Sequence, residues 1–286
     1  LSGHEAASDH TPAPADDGVT GPELWVMEGS PPELRPLIDL QGGPQGSAPG
    51  HLRAMGDLLF FGADDGRSGR ELWRSDGTVE GTVLVKDIRE GPPGSDPAEL
   101  TVFDGRLYFT ADDGANGREL WVSDGRPEGT LLVKDIRPGA AGSDPEGLRA
   151  ALGKLFFGAD DGQAGRELWA SDGTPGGTAL LDDLRAGPEG SDPRDITLAG
   201  GALFFTADLE PTGRELWRST GAPGGATLFL DILRGAAGSE PTELTAAGES
   251  LFFSAQDGAS GRELWWTDAA PANARRVMDI FPGAES

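Results

Sequence analysis

Cysteine is absent from the 286 residues, and disulfide staples and thiolate metal sites are excluded with it. Histidine occurs three times, at His4, His10 and His51. The chain has no Gly-x-Ser-x-Gly elbow and no His-Glu-x-x-His zinc helix. Gly-rich phosphate loops need a Gly-Lys-Ser/Thr ending and a following helix, and the one Gly-Lys, at Gly153-Lys154, is followed by Leu155. Asp and Glu outnumber Lys and Arg by 48 to 23, a net charge of −25. A surface this acidic is repelled by phosphate backbones, which excludes nucleic acid as a partner. No apolar run reaches 18 residues, so no membrane-spanning helix is expected. The longest stretch free of Gly and Pro is Ala272 to Phe281, ten residues, which rules out long helices of any kind.

Gly and Pro are abundant instead, 45 and 22 residues, and their distribution is periodic. Glu-Leu-Trp begins at Glu23, Glu71, Glu119, Glu167, Glu215 and Glu263, always 48 residues apart, and six such units account for the chain. The unit from Pro97 to Asp144 shows four strand-like runs, Glu99 to Phe103, Leu107 to Ala111, Arg118 to Ser123 and Thr130 to Ile136. Asp-Gly closes the first three and supplies the positive φ of tight hairpin turns. Each unit therefore reads as a four-stranded antiparallel meander.

The middle strands are apolar on both faces. Leu58 to Phe61 is an unbroken apolar run, and the adjacent Leu72 and Trp73 point opposite ways. A sheet buried on both faces must stack on similar sheets. The expected fold is all-β, a single six-bladed β-propeller over residues 1–286 with four-stranded blades and a 48-residue repeat. The first copy is weak. Gly3 to Ala7 lacks the apolar residues of a first strand, and Thr11-Pro12-Ala13-Pro14 stands where other copies read Leu-Tyr-Phe-Thr. Residues 1–20 are expected to form a degenerate half blade or a linker.

Glu71-Leu72-Trp73-Arg74-Ser75-Asp76-Gly77-Thr78 followed by Gly81-Thr82, and Glu167 to Thr174 followed by Gly177-Thr178, resemble the ELWxxDGT repeat of a family of bacterial proteins. Other copies depart from it, with Arg126 for Thr and Thr220 for Asp. The resemblance extends over essentially the whole chain. It implies a secreted or surface-displayed bacterial protein and no agreed activity. The repeats are also similar, more distantly, to the periplasmic TolB-type propellers, which bind proteins, so the periplasm is the alternative location. Leu1-Ser2-Gly3 is similar to the end of a lipobox, but His4 stands where that motif needs Cys.

Two repeated residue sets are candidate sites. Arg70, Glu71 and Trp73, with Arg118, Glu119 and Trp121 and with Arg166, Glu167 and Trp169, are of the residue types that six-bladed fucose lectins use between blades. The competing and preferred reading makes the Trp ring inter-blade packing. The Asp-Asp-Gly loops provide Asp64 and Asp65, Asp112 and Asp113, and Asp160 and Asp161. They are candidate calcium ligands, against the plainer reading that Asp side chains cap their own turns. A third repeated residue, the Asp that ends each fourth strand (Asp39, Asp87, Asp135, Asp183, Asp231 and Asp279), is expected to accept N–H groups of the following connector.

Propeller topology brings the Asp-Asp loops and the inter-blade connectors to one end of the strands. That end is expected to be densely acidic, with Arg89 and Arg137 interspersed. Carboxylates repeated in every unit suit binding better than catalysis, which needs one asymmetric site. The expected function is therefore non-catalytic: an extracellular or cell-surface binding or adhesion module that recognises a protein or a cation through its acidic loops. The alternative is a multivalent lectin that binds glycan through Arg/Glu/Trp pockets, and a glycoside hydrolase ranks behind both. The protein is expected to be a monomer.

Overall fold

The computed structural model describes residues 12–29 and 32–278. Apart from one turn of 3-10 helix, Pro271–Asn273, the regular structure of the described residues is strand. It forms six antiparallel sheets, one per 48-residue unit, the blades of a six-bladed β-propeller. Five sheets have four strands in sequence order. The second unit is typical, with strands Gly50–Met55, Leu58–Asp64, Arg70–Ser75 and Val83–Lys86. Gly56, Gly66 and Gly77 turn the chain between them with φ of 60°, 73° and 89°, conformations that a β-carbon disfavours.

The first sheet has three strands among the described residues, Ala13–Asp16, Pro22–Glu28 and Glu33–Ile38. Despite Pro14, residues 13–16 do pair, Ala13 with Trp25 and Pro14 with Leu24. A strand at a sheet edge tolerates Pro because its missing N–H is not called on. Gly3 to Ala7, Thr11 and Asp279 lie outside the described residues. The fourth strand of the last sheet shortens to Arg275–Arg276.

The chain forms two compact units, Leu1–Gly117 with Trp121–Leu132, and Arg118–Leu120 with Val133–Ser286. In the first, Leu24, Val26 and Leu37 pack against Leu59, Phe61 and Trp73 of the next sheet. The other face of that sheet, Phe60, Leu72 and Val85, packs against Leu107, Phe109 and Trp121. In the second, Phe156, Leu168 and Leu181 meet Leu203, Phe205 and Trp217, while Phe204, Leu216 and Phe229 meet Leu251, Phe253 and Trp265. Neighbours such as Phe60 and Phe61 therefore serve different interfaces, as an unbroken apolar strand requires.

Candidate functional site

The Glu of each Glu-Leu-Trp is an interior residue. Glu71, Glu119 and Glu167 have no exposed surface. Each carboxylate is the anchor of the connector that follows its sheet. Glu71 accepts the N–H of Arg89 at 3.1 Å, the N–H of Ser95 at 2.8 Å and the Ser95 hydroxyl at 2.5 Å. Glu119 takes the same three donors from Arg137 and Ser143, and Glu167 from Arg185 and Ser191. Three donors on one carboxylate offset much of the penalty of burying a charge. Burial is still the stronger influence and raises the carboxyls of Glu71, Glu119 and Glu167, while the serine hydroxyl and connector N–H groups oppose it.

The serine was not singled out from the sequence, although its signal was present. Gly-Ser recurs 24 residues after Glu23, Glu71, Glu119, Glu167 and Glu215, as Ser47, Ser95, Ser143, Ser191 and Ser239. All five serines are completely buried.

The arginine of the motif clamps the connector on the other side. Arg70 donates from Nη1 to the Ala48 carbonyl at 2.7 Å and from Nη2 to the Gly62 carbonyl at 2.9 Å. Arg166 donates to the Asp144 carbonyl at 2.8 Å, and Arg118 lies 4.0 Å from the Asp144 carboxylate. Trp73, Trp121 and Trp169 are 8 %, 6 % and 6 % exposed, and Trp73 and Trp121 sit inside the clusters between sheets. In the second, third and fourth units the Arg and the Glu of the motif fasten connectors, and the Trp is buried. Glu71 and Trp73 have little or no surface to offer a sugar.

The Asp-Asp loops are turns in which the side chains cap the backbone. Asp64 accepts the N–H of Gly66 at 2.7 Å, and Asp65 those of Arg67 and Ser68 at 2.9 and 2.7 Å. Asp113 accepts Ala115 and Asn116 in the same way, and Asp161 accepts Gln163 and Ala164. Burial works to raise Asp113, but the N–H groups of Asn116 and Ala115 outweigh it and hold the carboxyl below the ordinary aspartate range. Asp112 and Asp160 each accept one turn N–H and bind a connector arginine, Arg89 and Arg137 respectively, at 2.6 Å.

Calcium requires six to eight oxygens around one point. Among the described residues no group of three or more His, Asp or Glu side chains is gathered as a metal would need.

The aspartates that end the fourth strands differ from expectation. The connector N–H groups of Arg89, Arg137 and Arg185 go to Glu71, Glu119 and Glu167 instead. Asp135 and Asp231 each keep a buried carboxylate oxygen without a hydrogen-bond partner. Burial, followed by Glu90 and Asp65, raises Asp87.

No family model matches the chain, and no curated protein matches it. Solved structures share its fold. A puromycin hydrolase mutant complexed with PGG aligns with a TM-score of 0.56 at 16 % identity, over 93 % of this chain and 44 % of that one. Puromycin hydrolase itself aligns with a TM-score of 0.53 at 17 % identity, over 93 % and 44 %. A Mycobacterium tuberculosis puromycin-hydrolyzing peptidase aligns with a TM-score of 0.53 at 13 % identity, over 94 % and 44 %. The chain spans less than half the length of these proteins, and at such identities the likeness is one of fold. Among the described residues no helix is long and apolar enough to cross a membrane.

Proposed function

We propose that the protein is a non-catalytic extracellular binding module of the ELWxxDGT repeat type, and that its carboxylate-rich loop end takes a basic protein partner. The supporting observation is the way each hairpin is fastened to a connector. The N–H of Asp112 donates to the Ser95 carbonyl at 2.9 Å and that of Asp160 to the Ser143 carbonyl at 3.0 Å. The hairpin aspartates therefore lie at the same strand end as Asp96 and Asp144, whose side chains are largely exposed. Arg89 and Arg137 engage Asp112 and Asp160, but the chain as a whole keeps a charge of −25. A field of that sign speeds and orients the approach of a cationic partner.

The test is a titration of the protein with an Arg/Lys-rich peptide and with an acidic peptide of equal length, over a range of salt. Saturable binding of the basic peptide alone, weakened by salt and by the triple variant Asp65→Lys/Asp113→Lys/Asp161→Lys, is expected. Equal response to both peptides, or none at low salt, removes the reading. Because the fold neighbours are named as hydrolases, puromycin turnover by the same preparation should be followed alongside. Turnover would replace binding with hydrolysis as the function.

A further inference from the structure

One interface between repeats reverses the polarity of the two before it. In the second repeat Lys86 reaches the following repeat and donates its ammonium to the Thr130 carbonyl at 2.8 Å. In the third repeat Lys134 does the same to the Thr178 carbonyl at 2.7 Å, with its Nζ 5.9 Å from the centre of the Trp169 ring. The next position in this series, 48 residues on, is Asp182. The residues facing it shift in step. Ala226 takes the place of Thr130 and Thr178, and Trp217 takes the place of Trp169.

Asp182 is 6 % exposed. Its Oδ1 accepts a long bond, 3.4 Å, from the Ala226 N–H, the Gly224 N–H lies near enough to act on the same carboxyl, and Oδ2 is buried without a hydrogen-bond partner. The Gly224 N–H donates to the Leu181 carbonyl at 3.2 Å and draws this loop against the strand that carries Asp182. The two preceding loops carry a Thr whose hydroxyl bonds Ser123 or Ser171, and Ala226 has no hydroxyl to do so with Ser219. Where two interfaces hold a lysine ammonium on a carbonyl, one of them also under a Trp face, the third offers a carboxylate oxygen without a hydrogen-bond partner. A buried carboxylate in that condition costs free energy until a cation or donor reaches it. Burial accordingly raises Asp182, against the opposing N–H groups of Ala226 and Gly224.

We propose that Asp182, the Ala226 carbonyl and the face of Trp217 receive a primary alkylammonium group, the lysine side chain of a partner protein. This deepens the basic-partner reading, and it rests on that reading only for the source of the lysine. The chemistry is that of the Lys134 contact with the ammonium supplied from outside, where a carboxylate replaces one neutral acceptor and a Trp face adds cation–π attraction.

The experiment is calorimetric titration with Nα-acetyl-lysine amide, with Nα-acetyl-norleucine amide as the uncharged control. The wild type should bind the lysine compound saturably and ignore the control. Asp182→Asn should weaken binding by roughly 10- to 100-fold, the range for a hydrogen bond to a charged group. Asp182→Lys, which restores the ammonium of the sister interfaces within the chain, should abolish binding and raise the unfolding midpoint. Absence of saturable binding by the wild type, or unchanged affinity in Asp182→Asn, overturns the proposal. The triple Asp→Lys variant at the loop end separates the two readings. If it loses the basic peptide but keeps acetyl-lysine amide, both hold. If the wild type binds acetyl-lysine amide but no basic peptide, only the ammonium site survives. If the basic peptide binds and acetyl-lysine amide does not, only the loop reading survives.

Discussion

Leu216 and Leu264 hold the same place in consecutive copies of the motif, yet the structure treats them differently. Leu216 is completely buried in the cluster that Leu251 and Phe253 of the following repeat complete, whereas Leu264 is 39 % exposed. The pair shows that a repeat motif states a capacity for burial rather than burial itself. One face of each sheet is finished by the next repeat, so the environment of a motif residue is decided by its neighbour.

The widest separation is expected from shortening these two leucines. Leu216→Ala should lower stability by about 3–4 kcal/mol, and Leu264→Ala by less than about 1 kcal/mol, as measured by denaturant unfolding. Equal losses would break the comparison. Glu167→Ala comes next, at about 3 kcal/mol, because it strands the buried donors of Ser191 and Arg185. Glu167→Gln keeps an acceptor and should cost less than half as much.

The glutamine variant also has a pH signature. Burial raises the Glu167 carboxyl above the ordinary glutamate range, against the Ser191 hydroxyl and the connector N–H groups. The folded state therefore holds that proton more tightly than the unfolded chain does. The stability this contributes is fully present below the ordinary glutamate pKa and is lost as pH rises through the raised value. Gln does not titrate, so unfolding midpoints from about pH 4 to pH 7 should move in favour of Glu167→Gln relative to wild type. A constant gap would show that the carboxyl is not raised.

Smaller effects belong to the loop end. Asp161→Ala removes the acceptor for two turn N–H groups and should destabilise by about 1 kcal/mol. Arg137→Ala breaks a partly exposed ion pair with Asp160, and its effect of at most about 1 kcal/mol should shrink with added salt. The smallest change is expected from calcium: melts in about 1 mM calcium and in chelator should coincide, because the loop carboxylates are engaged by their own turn N–H groups. A calcium-specific rise would return the Asp-Asp loops to the status of metal sites.

Much of the fold was legible in the sequence because the repeat supplies its own redundancy. Hydrophobicity on both faces of Leu58 to Phe61 demanded stacked sheets, and in the unit from Pro97 to Asp144 the Asp-Gly turns set the strand boundaries to within a residue or two. The site was less legible. The sequence offered Glu71 as a candidate pocket residue between blades, and only its connection to Ser95, 24 positions away, explains its burial. The aspartates that end the fourth strands illustrate the opposite failure. Local chemistry suggested that they would cap the connector, but Glu71 and its counterparts reach the same N–H groups from the neighbouring strand.

By itself the sequence determined the 48-residue period, the all-β meander and the acidic balance, because periodicity, turn chemistry and charge are written residue by residue. Only the tertiary structure decided which carboxylates are fastened inside and which face solvent. Glu71 and Asp65 differ in role because of which donors the fold brings to each: the buried serine and connector N–H groups for one, its own turn for the other. The same holds for Asp182, which is one more acidic residue in the sequence. It becomes distinct when folding places it where Lys86 and Lys134 hold an ammonium in the repeats before it, because the meaning of a buried charge is set by the partners within its reach.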